Sequence, residues 1–304
     1  MGIDRLCGLL GKTRQGYYQK GNYTYREVVK GEIILEMVQE IRLEMPRIGV
    51  RKLLEILSPR LIGELTIGRD SFFTLLRNSG LLIRRRKTRV ITTDSRHWMR
   101  KYPNIIKGMI PDEPYQLLVS DITFVTLVSN ISVFLFLVTD AYSHKIVGWN
   151  LAQTLHAEHA VSAMKMVLVK KTKEDQGTIH HSDRGSQYCC EKYVSLLNKN
   201  GIDISMTETG DPRDNAIAER VNGILKTEWL NAIQLTSYQH AQIEVDRVIG
   251  IYNNKRPHSS IDMLTPNEAH KKTGNIPSRW KNYRKEAFLA RQKEEQQKAQ
   301  EKEE

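Results

Sequence analysis

The sequence predicts a small all-helical region followed by an α/β core with a mixed sheet. Amphipathic helical patterns separated by breaks fill residues 1–87, and a stretch without periodicity follows over 88–113. From residue 114 onward, β-branched apolar runs alternate with amphipathic segments. The basic excess lies in the first part: residues 1–110 contain 22 Lys and Arg against 10 Asp and Glu, whereas residues 111–304 contain 24 against 25.

The first part contains helical segments divided by residues that break helices. Apolar residues recur there at helical spacing, and Gly11 and Pro46 interrupt the pattern. Gly80 follows the last segment as a plausible C′ glycine. The predicted helices are residues 4–10, 14–19, 29–45, 50–57 and 67–78.

A helix, a break and a second helix, followed by Arg84, Arg85, Arg86 and Lys87, suit a helix-turn-helix module with a basic strap that contacts DNA phosphates. Three helices that pack together without touching DNA explain the same pattern equally well. We therefore interpret residues 1–87 as a helical region, helix-turn-helix-like, with DNA binding as its expected role.

Residues 88–113 contain Pro103, Gly108 and Pro111 and are expected to form a linker. The core is expected over residues 114–275. Its predicted strands are residues 115–127, 131–139, 145–151, 177–181 and 202–206. Its predicted helices are residues 157–173, 187–200, 215–229 and 237–252.

Three strands, a helix, a strand, a helix and a strand, then further helices, form the element order of the ribonuclease H-like fold. Residues 276–304 are rich in Lys, Glu and Gln and are expected to form a charged helix or tail.

The composition argues against a membrane or an exported protein. Apolar runs stay well short of the roughly 18 residues that a membrane helix needs. The first residues lack a charged, then apolar, then small pattern, so we expect no export. Three cysteines, of which Cys189 and Cys190 are adjacent, do not form a disulfide framework and fit the reducing cytoplasm.

Three acids occupy distinctive places in the predicted element order. Asp121 lies in the middle of a strand, where a carboxylate is costly unless it has a partner. Asp183 directly follows a buried strand, at the end where α/β proteins bind ligands, and Glu219 lies within a helix. Singly, each acid fits a turn residue or a surface ion pair better than a catalytic role. Together, on elements expected to be neighbours, they predict a site for hard divalent ions.

Several motifs resemble one family. Residues 181–188 (HSDRGSQY) resemble the signature around the second catalytic acid of integrase-like transposases, and residues 214–228 (DNAIAERVNGILKTE) resemble the helix that carries the third. Thirty-five residues separate Asp183 from Glu219, which is the spacing of this group. Residues 120–123 (SDIT) resemble the strand of the first acid.

The resemblance covers roughly residues 3–275, because further motifs match at both ends of the core. Tyr252-Asn253 with Arg256-Pro257-His258 resembles the segment that closes the core in bacterial members. Residues 6–18 and 46–53 resemble the usual opening and the small helical domain. The chain is thus similar to the second-reading-frame products (OrfB) of the IS-three family of insertion sequences. Leu118 stands where a Trp is common and His144 where an Arg is common, which puts the subgroup in doubt and not the chemistry.

The resemblance implies a DDE transposase that cleaves DNA strands and joins them into a new site. Asp121, Asp183 and Glu219 would be its catalytic residues and metal ligands, with two Mg²⁺ or Mn²⁺ ions in each active site. Its partners would be double-stranded DNA, as element ends and as target, and other copies of the chain, at least a dimer on DNA. An upstream reading-frame product is a possible fusion partner. The expected location is the bacterial cytoplasm, associated with the nucleoid, with no membrane.

Other residues are assigned supporting roles by the same resemblance and by their spacing. Lys226 lies two helical turns after Glu219 and is expected to contact DNA, as are Arg220 and Arg256. Arg256 belongs to a segment for which packing in the core is equally plausible. Asn215 caps the helix or orients Glu219, and His181 supports the metal site or simply ends a strand.

Two other functions remain open from the sequence. A DNA-binding regulator with an inactive core would bind element ends without nicking them. A ribonuclease H-like nuclease would hydrolyse strands without joining them. The presence of all three acids argues against the regulator, and the basic helical region argues against the nuclease.

Overall fold

The computed structural model describes residues 13–83, 98–171, 177–208 and 215–279, together with Arg5, Cys7 and Gly11. Within these residues five strands form one mixed sheet in the order β3-β2-β1-β4-β5. The strands are β1 (Leu117–Thr126), β2 (Ser132–Asp140), β3 (Ile146–Ala152), β4 (Ile179–Ser182) and β5 (Asp203–Met206). The first three are antiparallel neighbours, and β4 and β5 add in parallel to β1. The predicted ribonuclease H-like fold class is confirmed.

Nine α-helices accompany the sheet in the described residues. They are α1 (Arg14–Glu44), α2 (Val50–Leu57), α3 (Arg69–Asn78), α4 (Ala157–Lys170), α5 (Ser186–Cys189), α6 (Glu191–Lys199), α7 (Ala216–Leu225), α8 (Tyr238–Asn254) and α9 (Pro266–Ala269). A π-helical turn, Lys226–Leu230, continues α7 directly. Short 3-10 turns occur at Ser58–Arg60, Gly63–Leu65 and Ser259–Ile261.

Two predicted helical stretches are divided differently in the structure. The segments expected at residues 14–19 and 29–45 form one continuous helix, α1. Gly21 lies inside it, because a glycine costs a helix interior only about 1 kcal/mol and does not end it as a proline does. The helix expected at 187–200 is divided at Cys190, whose backbone is extended with φ −68° and ψ 147°.

Helices cover both faces of the sheet. One face presents Leu118, Phe136 and Val138 and packs beneath α4 and α6. The other face presents Val125 and Leu137 and packs beneath α7 and α8. Alternate residues of a strand point to opposite faces, so Asp121 lies on the same face as Val125, beneath α7. This arrangement places the acid of β1 under the helix that carries Glu219.

The N-terminal helices pack on this same side of the core. Ile34 of α1 and Leu53 of α2 are fully buried in the hydrophobic cluster that also contains Trp229 and Tyr252. The indole N–H of Trp229 donates to the backbone carbonyl of Glu44, at the end of α1, over 2.7 Å. The helical region and the core therefore share one apolar interior.

Residues 98–113, the described half of the expected linker, lie along the core and do not extend away from it. Ile106 and Met109 pack against the cluster formed by Leu117 and Val119, and the backbone N–H of Ile105 donates to Ser205. Three predicted segments lie outside the described residues. They are the basic run 84–87, the first predicted helix apart from Arg5 and Cys7, and residues 280–304 of the predicted tail. No described helix has the length and apolar character to cross a bilayer.

Candidate active site

The register of the parallel pair brings Asp121 and Asp183 side by side. Val119 of β1 is the Cα partner of His181 of β4. The pairing ends there, and Asp121 and Asp183 each lie two residues further along their chains, with Asp183 just past the end of β4. Neighbouring strands lie about 4.8 Å apart, so two carboxylates at matching positions repel each other.

The carboxylate of Asp121 is held from two sides. Its Oδ1 accepts from the backbone N–H of Ile122 over 2.9 Å, and its Oδ2 accepts from the Asn222 side-chain amide over 2.7 Å. Burial, followed by the negative charge of Asp183 and more weakly that of Glu219, raises the pKa of Asp121 to about 7. A carboxylate that lies near other negative charges is stabilised by a cation.

Asp183 lies in a tight turn between β4 and α5. Its Oδ1 accepts from the backbone N–H of Gly185 over 3.0 Å. A Cβ atom at Gly185 would lie 3.1 Å from that same oxygen, so a larger residue would press on the carboxylate. Gly185 of the HSDRGSQY motif thus leaves room for the Asp183 carboxylate in this tight turn.

Glu219 is carried on α7 and is exposed. Asn222, one turn further along the helix, bonds to Asp121, so this side of α7 faces β1. No three acidic, histidine or cysteine side chains within the described ranges are gathered tightly enough to hold a metal ion. The structure therefore brings Asp121 and Asp183 near each other. Glu219 lies on the adjoining helix, and its carboxylate does not form a group of three metal ligands with theirs.

Asn215, expected as a cap or as support for Glu219, ties α7 to the sheet. Its side-chain N–H donates to the backbone carbonyl of Ser120 over 2.9 Å. It stands at the N-cap position of α7 without a side-chain capping bond to the helix. Its Oδ1 is buried with no hydrogen-bond partner among the described residues. Asn215 thus fixes the start of the helix beside Asp121.

His181 is buried and shares a hydrogen bond of 2.8 Å with Ser205 of β5, so its Nδ1 faces away from β1. His180 lies on the opposite face and shares a bond of 2.8 Å with Ser120, the neighbour of Asp121. Burial lowers the pKa of His180 to about 3, so it is neutral. The contacts of His181 are those of a residue that joins two strands.

Lys226 reaches back over β1. Its ammonium lies 4.1 Å from the centre of the Phe124 ring, a cation–π contact. Burial lowers the pKa of Lys226, and the charge of Asp121 acts in the opposite direction. These contacts place Lys226, the first residue of the π-helical turn after α7, against β1. Arg220, one residue after Glu219, is exposed.

Arg256 does not fit the DNA contact expected of it. Its side chain is 1% exposed and makes a two-point ion pair with Glu228, at 2.7 and 2.6 Å. Its Nη1 also shares a bond of 2.9 Å with His258. Tyr252 is fully buried, and its hydroxyl donates to the carbonyl of His144. Packing in the core, the alternative for this segment, is what the structure shows, because Glu228 neutralises the guanidinium inside the protein.

The sequence interpretation missed Asn222 and Phe124. Asn222 follows Glu219 by three residues, so helical periodicity alone placed it on the same face as the acid. Nothing in the sequence indicated the contact between Phe124 and Lys226, which depends on how α7 crosses β1.

Comparisons with known proteins identify the family of this chain. A family model described as an integrase core domain matches residues 111–212, and a second model of the same description matches residues 200–266. The 31 kDa protein of insertion element IS600 from Shigella sonnei is 29% identical, over 86% of this chain and 96% of its own length.

Two further relatives are named as transposases. The transposase for insertion sequence element IS904 from Lactococcus lactis is 30% identical, over 58% of this chain and 72% of its own length. Transposase InsF for insertion sequence IS3A from Escherichia coli is 31% identical, over 46% of this chain and 48% of its own length. With the integrase core and with acids on neighbouring strands and helix, this chain belongs to the IS3-like insertion-sequence transposases, and its function is DNA transposition by a DDE integrase core.

Proposed function

We propose that Asp121, Asp183 and Glu219 are the three acids of this transposase and that they hold two Mg²⁺ ions, or Mn²⁺ in their place. The observation that carries the proposal is the half-buried Asp121 carboxylate, which is held by Ile122 and Asn222 and on which the charges of Asp183 and Glu219 act. Carboxylate oxygens are the ligands that both hard ions prefer, so the residues present fit the ions. When bound, the ions activate the attacking oxygen and stabilise the charge on the leaving oxygen of an in-line phosphoryl displacement.

The protein's own side chains have three tasks in this proposal. Asp121 is oriented by Asn222, and Asp183 is oriented by its turn with Gly185. Glu219 completes the set from the helix that Asn215 fixes against β1. An acid held in place by hydrogen bonds before the ion arrives needs little reorganisation when the ion binds.

DNA contacts belong to the same proposal. The charge of Asp121 acts on Lys226, and we propose that the ammonium of Lys226 contacts a phosphate near the scissile bond. Arg220 is exposed on the same helix. The basic run 84–87 is proposed to contact the DNA backbone from the helical region, residues 1–87, as a helix-turn-helix-like module. The substrate would be double-stranded DNA, first as element ends and then as target.

The assembly is proposed to contain at least two copies of the chain on DNA, because joining two element ends to one target requires two active sites. We propose an upstream reading-frame product as the fusion partner of the chain and the bacterial nucleoid as its location. A mass measurement of the DNA-bound complex tests the assembly, and one chain per pair of ends would overturn it.

The testing experiment is a Mg²⁺-dependent cleavage and joining assay on DNA that carries the ends flanking this gene. Wild type is compared with Asp183→Asn and with Asp203→Asn, an exposed aspartate at the far end of β5. We expect wild type and Asp203→Asn to nick and join, while Asp183→Asn binds DNA but does neither. Equal activity of Asp183→Asn would overturn the site.

Two outcomes of that assay distinguish the remaining functions. Nicking without joined products, even with a donor that already carries a 3′-hydroxyl, identifies a nuclease. Binding without nicking by the wild type identifies a regulator if fusion to the upstream product does not restore activity.

A further inference from the structure

A cleft with two arginines lies between the end of α1 and the chain that follows α3. It is lined by Arg42 of α1, by Pro46 and Arg47 just after that helix, and by residues 80–83. Its volume is about 350 Å³, within the range of clefts that take small ligands. Its described lining residues include two guanidinium groups and no acidic side chain.

Arg42 keeps a hydrogen-bond donor that the protein does not use. Its Nη2 donates to the backbone carbonyl of Leu81 over 2.7 Å, whereas its Nε is buried and has no hydrogen-bond partner among the described residues. Burial lowers the pKa of Arg42, although a guanidinium stays charged in a protein. A buried donor without an acceptor is costly, so on a residue that lines a cleft it indicates a place for a ligand that accepts.

The acids nearest to Arg42 along α1 do not neutralise its charge. Glu40, two residues before Arg42, pairs with Arg60 at 2.8 Å. Glu44, two residues after it, pairs with Lys255 at 2.6 Å. Across the described ranges Arg42 itself has no carboxylate partner, and its one side-chain hydrogen bond is to a backbone carbonyl. The cleft therefore keeps a half-buried positive charge, which an anion would stabilise.

Residues 80–83 form a wall of the cleft that is fixed in position. The backbone N–H of Leu81 donates to the carbonyl of Leu76 over 2.8 Å, and Leu76 is fully buried in the cluster shared by the helical region and the core. The bond from Arg42 to the carbonyl of Leu81 ties the same wall to α1. In sequence this wall continues directly into the basic run 84–87, so the cleft adjoins four consecutive cations along the chain.

We propose that the cleft of Arg42 and Arg47 binds a phosphodiester group of the DNA backbone. The proposal rests on the proposed function, in which double-stranded DNA is the substrate and the run 84–87 contacts its backbone. It adds a site at the end of α1, apart from both the basic run and the acids. Guanidinium groups suit phosphate oxygens, and the Nε of Arg42 supplies the unused donor. Pro46 and Leu82 give the cleft apolar surface for the adjoining deoxyribose.

The test measures binding of a mixed-sequence DNA duplex to the full chain, with a chelator in place of divalent metal, at several salt concentrations. Each lost phosphate contact reduces the slope of log K against log salt, the salt slope, by about 0.9. We expect Arg42→Gln/Arg47→Gln to reduce the salt slope by about 0.9, because both arginines meet one phosphate. Arg60→Gln makes the same chemical change at an exposed, paired arginine of the helical region and is expected to keep the wild-type slope.

A second pair of variants leaves both arginines in place. Gly80 has a φ of 68°, a conformation that Asn and Asp adopt more readily than most residues, and a Cβ atom there would meet nothing within 4 Å. Gly80→Asp adds a carboxylate to the lining, where it competes with a phosphate for the guanidinium groups. Gly80→Asn adds the same shape without the charge. We expect Gly80→Asp to reduce the salt slope by about 0.9 and Gly80→Asn to keep it.

The Gly80 pair decides the matter if circular dichroism shows that loss of the bond from Arg42 to Leu81 changes the fold. Equal salt slopes for Gly80→Asp and Gly80→Asn, or a wild-type slope in a folded Arg42→Gln/Arg47→Gln, would overturn the proposal. An equal reduction in Arg60→Gln would also overturn it, because the effect would then be one of general charge. These measurements need neither metal nor cleavage, so their failure leaves the proposed acids untouched. Conversely, an active Asp183→Asn would overturn the acids without changing these slopes.

Discussion

The side-chain amide of Asn222 donates a hydrogen bond of 2.7 Å to the carboxylate of Asp121, across 101 residues of sequence. This bond joins the helix of the third acid to the strand of the first. It favours the charged form of Asp121, against the burial that raises its pKa. Asn222 is therefore a positioning residue, acting through Asp121 and not on the substrate itself.

Removal of this bond is expected to weaken metal binding more than folding. In Asn222→Ala, Asp121 loses a donor to its charged form, so its pKa rises further and more Mg²⁺ is needed at neutral pH. We expect the Mg²⁺ concentration for half-maximal cleavage to rise about 10-fold or more, as for other groups that orient metal ligands. The deficit is expected to shrink as pH rises, which a purely structural defect would not do.

Asn198→Ala is the matched control, because Asn198 is exposed on α6 on the other side of the sheet. It is expected to keep the wild-type metal requirement. The positioning role would be contradicted by an Asn222→Ala enzyme whose metal requirement matches wild type at every pH.

The half-buried carboxylate of Asp121 is expected to make folding stability depend on pH. Its pKa is about 7 in the folded chain, against about 3.9 in an unfolded one. The folded state thus holds the proton more strongly, so the contribution of Asp121 to stability is greatest below about pH 4 and is lost as pH rises to about 7. In Asp121→Asn, residue 121 no longer titrates, so the variant does not lose this stability as pH rises.

We expect Asp121→Asn, measured with a chelator present, to match wild type near pH 4 and to be more stable by about 1–3 kcal/mol near pH 8. Three pKa units would correspond to about 4 kcal/mol, and the lower value allows for the partial exposure of the residue. Urea unfolding at a series of pH values gives the free energies, with Asp203→Asn as the control. A variant less stable than wild type near pH 8 would refute the expectation.

The buried ion pair between Arg256 and Glu228 leads to a stability prediction. Glu228 is 13% exposed and Arg256 is 1% exposed, so removing one partner leaves a charge with little water to solvate it. We expect Arg256→Met to lower the free energy of unfolding by about 3–5 kcal/mol and Arg256→Met/Glu228→Leu to recover much of that loss.

Arg247→Met is the control, because the ion pair of Arg247 with Glu244 has the same 2.6 Å distance but a more exposed arginine. It is expected to cost less than about 1 kcal/mol. The recovered double variant also tests the DNA contact first expected of Arg256. A reduced salt slope in that variant would reinstate the contact, and an unchanged slope is expected.

The relation between Asp121 and Asp183 could be predicted from sequence, because strand order and chain direction determine it. Asp183 directly follows β4, which is parallel to β1, so the chain direction brings it to the part of the sheet where Asp121 lies. The helix of Glu219 was predicted from periodicity and from its motif. These features depend on local pattern and on a common topology.

The burial of Arg256 could not be predicted in the same way. Arginine is rarely buried without a partner, and its partner Glu228 lies on another element, 28 residues away. Which acid meets which base depends on how the end of α8 crosses the π-helical turn. The contact of α1 with the core was missed for the same reason, since the bond from Trp229 to Glu44 spans 185 residues.

The close approach of α4 to β3 depends on one glycine. A Cβ atom at Gly148 would lie 2.2 Å from the backbone oxygen of Ala163 and 2.9 Å from Cγ2 of Val167, so the helix would have to move away from the sheet. We expect Gly148→Ala to lower the free energy of unfolding by about 1–3 kcal/mol, as overpacking does in a dense core. Chemical unfolding monitored by circular dichroism measures the change.

Gly223→Ala is the counterpart on the other face, where a Cβ atom would meet nothing within 4 Å. Gly223 lies inside α7, so alanine is expected to raise the free energy of unfolding by up to about 1 kcal/mol through helix propensity. The two variants make the same chemical change, and only the surrounding space differs. Equal effects of the two would contradict the packing of α4 on β3, because α4 would then tolerate a methyl group that the observed distance excludes.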